Sequence, residues 1–117
     1  MKTTRKLTFH TDPGHGWLQV DRADLDALDI AHKISRYSYE RGPWVYLEED
    51  RDAAIFMDAA KAAGWVLNMT EKNEPRNDSP VRSFERYQPR VTTATLINAA
   101  QRLGRLHLVH ITNEARP

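Results

Sequence analysis

"TFHTDPGHGWLQV", residues 8–20, holds the reading of the fold. Leu7 and Phe9 fall on one face of an extended segment and Thr8 and His10 on the other, the period-two pattern of a half-buried strand. Asp12-Pro13-Gly14 is turn chemistry, because proline presets φ and glycine accepts positive φ. Gly16–Asp21 then returns as a second strand, and the short connection makes the pair an antiparallel hairpin.

Outward from this hairpin, ADLDALDIAHKI predicts a short helix near residues 23–31, with acidic residues in the first turn where the macrodipole favours them. RYSYE and WVYLE, around Arg41-Gly42-Pro43, predict a second hairpin rich in aromatic and β-branched residues. DRDAAIFMDAAKAAG predicts the clearest helix, over 51–63. Asp50 or Asp52 caps it, Phe56, Ala59, Ala60 and Ala63 form its stripe, and Gly64 takes the left-handed position at its end. WVLNMT is a fifth strand. Residues 71–90 read as a long polar excursion, expected to be mobile, with VRSFERY as a short edge strand. A helix over 93–103 follows, capped by Thr92 or Thr93, striped by Leu96, Ala99, Ala100 and Leu103, and stopped by Gly104. RLHLVHIT closes as a strand, with His107 and His110 on opposite faces, before a frayed NEARP tail. The expected fold class is α+β: a single domain, 1–117, with a mostly antiparallel sheet and two or three helices on one face, in the order ββαββαβ(β)αβ.

The 117 residues are 40% hydrophobic and 28% charged, enough apolar content for one buried core. The absence of cysteine excludes disulfides, Cys-based zinc sites and a thiol nucleophile. No apolar run has the length of a signal peptide or a membrane span, which points to a cytoplasmic protein. The net charge of +1 conceals an asymmetry: residues 7–71 sum to −6 and residues 72–117 to +4. Charge separated along the chain marks a partner surface only if folding also separates it in space.

Three groups of residues carry potential chemistry. His10, Asp12 and His15 supply ligand types suited to zinc or another divalent ion, while Asp12 equally suits a bond to the backbone of its own turn. No Gly-x-Ser-x-Gly elbow or phosphate-cradling loop accompanies them. Tyr37 with Tyr39, and Trp44 with Tyr46, form aromatic pairs expected to lie under the helices, with exposure of one pair, as at an interface, the alternative. Arg76, Arg82, Arg86 and Arg90, interleaved with Phe84 and Tyr87, form an arginine–aromatic series of the kind that binds protein partners or single-stranded nucleic acid.

Residues 9–64, through "HTDPGHGWL", "YSY" and "VYLEED", resemble small uncharacterised proteins encoded by phages, plasmids and other bacterial mobile elements; the resemblance covers the first half of the chain only. It implies no catalytic residue and no cofactor. It implies a context, since small mobile-element proteins commonly bind host proteins, including defence complexes such as CRISPR effectors. The leading expectation is a non-enzymatic protein of the bacterial cytoplasm. It binds and inhibits or redirects a host protein or protein–nucleic-acid complex, as an anti-CRISPR or other anti-defence factor does, through Arg76, Arg82, Phe84, Arg86, Tyr87 and Arg90. The alternatives are an accessory protein that binds nucleic acid directly and a small metal-dependent enzyme using His10, Asp12 and His15.

Overall fold

The computed structural model describes the backbone of residues 2–115 and the side-chain surroundings of residues 2–104. In chain order the elements are β1 (Thr4–Thr11), β2 (Gly16–Asp21), α1 (Arg22–Ala27), β3 (Tyr39–Arg41), β4 (Trp44–Glu48), α2 (Asp52–Ala62), β5 (Val66–Asn73), β6 (Glu85–Arg86) and α3 (Thr93–Ala115). Short 3₁₀ turns at Ala31–Lys33 and Pro80–Ser83 complete the chain. The six strands form one mixed sheet in the order β5-β1-β2-β4-β3-β6, so the class is α+β.

The β1–β2 hairpin has His10 opposite Trp17 and Thr11 opposite Gly16, and the Asp12 N–H donates to the His15 carbonyl at 2.9 Å. β2 pairs with β4, β4 with β3 and β3 with β6, all antiparallel. The exception is β5, which runs parallel to β1 from Thr4–Val66 to Thr11–Asn73. Its direction follows from α2. That helix carries the chain back along the sheet, so the next strand starts at the end where β4 started. Gly64, at φ +79°, ends the helix in the left-handed conformation that other residues resist. β5 is an outer strand, with its far edge unpaired within the sheet.

Alternation divides the sheet into two faces. Leu7, Leu18, Val20, Val45 and Leu47 point towards α1 and α2, where Leu25, Ile30, Phe56 and Ala60 close the main core. Burying a leucine such as Leu18 contributes about 2 kcal/mol. Trp17, Tyr39 and Tyr46 point the other way and are covered by Val81 and Phe84.

Several expected elements are corrected. Residues 71–90 are not all excursion: β5 extends to Asn73, and Pro80–Ser83 lies on the second face of the sheet. VRSFERY pairs only through Glu85 and Arg86. RYSYE is a strand only from Tyr39; Ser35–Ser38 form a turn. Neither Asp50 nor Asp52 caps α2. The Glu48 carboxylate instead accepts from the N–H groups of Asp50, Arg51 and Asp52 at 2.7–3.0 Å. Thr92 does cap α3, its hydroxyl accepting from the Thr95 N–H.

Gly104 does not stop α3, and RLHLVHIT continues the helix rather than forming a strand. One glycine costs a helix interior about 1 kcal/mol, too little to end one alone. The stripe expected to pack on the sheet is instead open, with Leu96 and Leu103 exposed. The helix touches α1 through Asn98, which donates to the Asp26 carbonyl, and the turn after α1 through an Arg102–Asp29 ion pair. The expected side-chain placements of His107 and His110, and the last two residues of the tail, lie outside the described residues.

Candidate binding cleft

The residues of the opening motif are held apart by their own contacts. Asp12 Oδ1 accepts from the N–H groups of Gly14 and His15 at 3.0 and 2.9 Å, the turn bond its sequence allowed. Oδ2 accepts from the Ser79 N–H at 2.9 Å. The Arg82 guanidinium then binds both oxygens, Nε to Oδ2 at 2.6 Å and Nη2 to Oδ1 at 3.0 Å. Arg82, followed by the Ser79, His15 and Gly14 amides, outweighs burial and holds the Asp12 carboxyl far below the usual carboxylate range. A carboxylate with five donors has no lone pair left over for a metal or a proton.

His10 Nε2 lies 2.7 Å from Gln19 Oε1, and its ring stands edge-on to Tyr46. His15 lies instead against Trp17. Among the described residues no three His, Asp or Glu side chains are grouped as a metal site.

The motif's glycines make room for this arrangement. A Cβ on Gly14 would stand 2.7 Å from Arg82 Nη2, and one on Gly16 would stand 2.8 Å from the Phe9 ring. The opening stretch is therefore a socket for residues 79–84.

The arginine–aromatic series scatters. Tyr87 is fully buried in the main core, where its hydroxyl donates to the Ala31 carbonyl at 2.7 Å and burial pushes the phenol up to about 12. It has no surface to offer a partner. Phe84 packs half-buried against Tyr46 beneath the Arg41 guanidinium. Arg90 pairs with buried Glu40 at 3.0 Å, and Arg76 is exposed beyond β5. Arg82, with 31% of its side chain exposed, is committed to Asp12. Arg86 is exposed and lies 4.3 Å over the Tyr39 ring.

Arg82 and Arg86 both line a cleft of about 440 Å³. It runs from His15 and Trp17 beside β2, past Glu48–Arg51 after β4, to Tyr37, Tyr39 and Arg86 at β3 and β6. At its mouth Tyr37 is 73% exposed, and Arg36, Tyr37 and Arg86 line an adjoining depression.

The exposure of Arg36 and Tyr37 has a local cause. Asp52, fully buried at the start of α2, accepts from the Ser35 N–H, the Ser35 hydroxyl and the Ser38 hydroxyl through one oxygen, at 2.6–3.0 Å. Ser38 Oγ also accepts from the Glu48 N–H at 3.0 Å. Both ends of the turn are thus pinned, and the two residues between them project. Among the described residues Arg36, Arg86, Glu49 and Asp50 take part in no ion pair.

Sequence reasoning picked out Arg86, Arg82 and the Tyr37–Tyr39 pair. It missed Arg36, Glu49 and Asp50 as parts of one surface, and the available signal was the pair of serines bracketing Arg36-Tyr37. Each aromatic pair is split: Tyr37 and Trp44 are exposed, while Tyr39 and Tyr46 are buried.

Compared with protein-family models, curated proteins and solved structures, the chain has no match. Among the described residues no helix is long and apolar enough to cross a membrane.

Proposed function

We propose that the protein acts by binding, with the Arg36–Tyr37–Arg86 rim of the cleft as its contact surface and a macromolecular complex of a bacterial host as its partner. The observation that carries this reading is Tyr37. A large amphipathic side chain is held out on a pinned turn between two arginines that have no ion pair among the described residues. Buried tyrosine and arginine anchors supply much of the energy of protein interfaces, and a rigid turn reduces the entropy lost on docking. The resemblance to mobile-element proteins supports a host-directed role, inhibiting or redirecting a defence complex such as a CRISPR effector in the cytoplasm. Catalysis through the opening motif has little support, because every acceptor position of Asp12 is engaged.

A photo-crosslinking amino acid at position 37, compared with one at exposed Lys61 on α2, tests the reading in host extract. A discrete adduct from position 37, absent from position 61 and lost on Arg86→Glu, supports it. Adducts that ignore position and charge reversal refute it.

A further inference from the structure

We infer that the cleft takes an extended polypeptide segment in which an acidic and a basic side chain flank an apolar one, rather than a nucleic-acid strand. The inference rests on the reading of the cleft as a contact surface and goes on to name its occupant.

The cleft carries exposed charge of both signs. Arg86 and Tyr37 line it and, with Arg36, an adjoining depression, whereas Glu49 and Asp50 line it from the turn after β4. None of the four charged side chains is ion-paired among the described residues. Trp17 and Tyr39, both buried and with ring centroids 6.0 Å apart, give it an aromatic lining. Of the other charged lining residues, Glu48 is engaged by the N-terminus of α2, Arg82 by Asp12 and Arg51 by buried Asp52, so each is already matched within the protein.

Arg86 is posed for a carboxylate. Its guanidinium lies over Tyr39 at 4.3 Å, and one nitrogen donates to the Tyr37 carbonyl at 3.3 Å. The remaining N–H groups form an in-plane fork that matches two carboxylate oxygens.

A nucleic-acid strand carries a negative charge at every nucleotide. Threading the cleft would bring that charge against Glu49 and Asp50 with no cation paired to them, and like charges in close contact cost affinity. A polypeptide can alternate sign from residue to residue and satisfy both the arginines and the carboxylates. The volume, about 440 Å³, falls in the range that encloses a drug-sized ligand, hence a few residues of chain.

The test is NMR titration of the intact protein with three blocked pentapeptides, Gly-Glu-Leu-Lys-Gly, Gly-Glu-Leu-Glu-Gly and Gly-Lys-Leu-Lys-Gly, and with an oligothymidylate. The mixed-charge peptide should shift the resonances of Tyr37, Arg86 and Glu49, with a Kd on the order of millimolar. The same-sign peptides should bind several-fold more weakly. Arg36→Glu with Arg86→Glu replaces the unpaired cations by carboxylates and should transfer the preference to the dicationic peptide.

If the oligothymidylate moves these resonances at lower concentration than any peptide, the occupant is nucleic acid and the inference falls, while the cleft stands as the contact surface. If no probe moves them, the inference also falls, and the position-37 crosslink separately decides whether the surface survives.

Discussion

Asp12 and Arg82 meet in a two-pronged ion pair across 70 residues of sequence, with Nε 2.6 Å from one carboxylate oxygen and Nη2 3.0 Å from the other. The pair joins the first turn of the protein to the segment that covers the second face of its sheet. Arg82 also lies over Trp17, so the clasp and the aromatic layer support each other.

Asp12→Ala should therefore destabilise the protein by about 2–3 kcal/mol, the usual range for losing hydrogen bonds to a charged group. Arg82→Lys should recover only part of the wild-type value, because an ammonium cannot span both oxygens. Urea denaturation of the two variants checks both statements. Reversal at Arg82 is thus a folding lesion, unlike reversal at exposed Arg86.

The same pair gives acid sensitivity of known sign. The Asp12 carboxyl in the fold lies below its unfolded value of about 3.9, so its contribution is complete above that pH and is lost as pH falls below it. Glu40 is also lowered: burial opposes its ionisation, but the Gln88 amide, Arg90 and Arg22 together prevail. Its contribution is lost in the same direction. Stability measured between about pH 5 and 2 should fall more steeply in the wild type than in Asp12→Asn.

Gly14 and Gly16 should differ when replaced by alanine. A methyl at Gly14 meets the end of the Arg82 side chain, whereas one at Gly16 meets the Phe9 ring at 2.8 Å and Glu49 Oε2 at 3.1 Å. Gly16→Ala should cost about 1–3 kcal/mol, as overpacking does, and more than Gly14→Ala. Thermal unfolding of the pair orders them.

Neighbours in sequence should also part company. Tyr87→Ala removes a fully buried ring and should cost about 3–5 kcal/mol; Tyr87→Phe loses only the Ala31 bond, about 1 kcal/mol. Arg86→Ala should stay within about 0.5 kcal/mol of wild type. Equal losses at both positions would contradict their assigned places.

What the sequence made legible was local. The Asp12-Pro13-Gly14 turn, the β1–β2 alternation, α2 and the Gly64 stop follow from chemistry within a few residues. The unread features depend on distant partners. Nothing near Val66 says that β5 will run beside β1, and nothing near Val81 says that it will cover Trp17, Tyr39 and Tyr46. Tyr87 and Arg86 look equivalent along the chain, yet one enters the helix side of the sheet and the other the cleft. The eight residues after Gly104 alternate like a strand but continue a helix, where propagation from a formed α3 outweighs a period-two pattern. Of the site, Arg86 and Tyr37 were readable as types of residue; that they converge with Glu49 and Asp50 was not.

The chain separation of the Asp12–Arg82 clasp also sets an order of events at the ribosome. At about 5–20 residues per second, the hairpin waits roughly 4–14 s between the synthesis of Asp12 and that of its partner. Until residues 79–84 are made, Trp17, and later Tyr39 and Tyr46 as they are added, have no Val81 or Phe84 to cover them. A nascent chain stalled before Ser79 thus presents a sticky aromatic plane to its surroundings, and is a natural substrate for a chaperone. Release of that hold should coincide with the emergence of residues 79–84, so the last-made cover of the sheet is also its safeguard against aggregation.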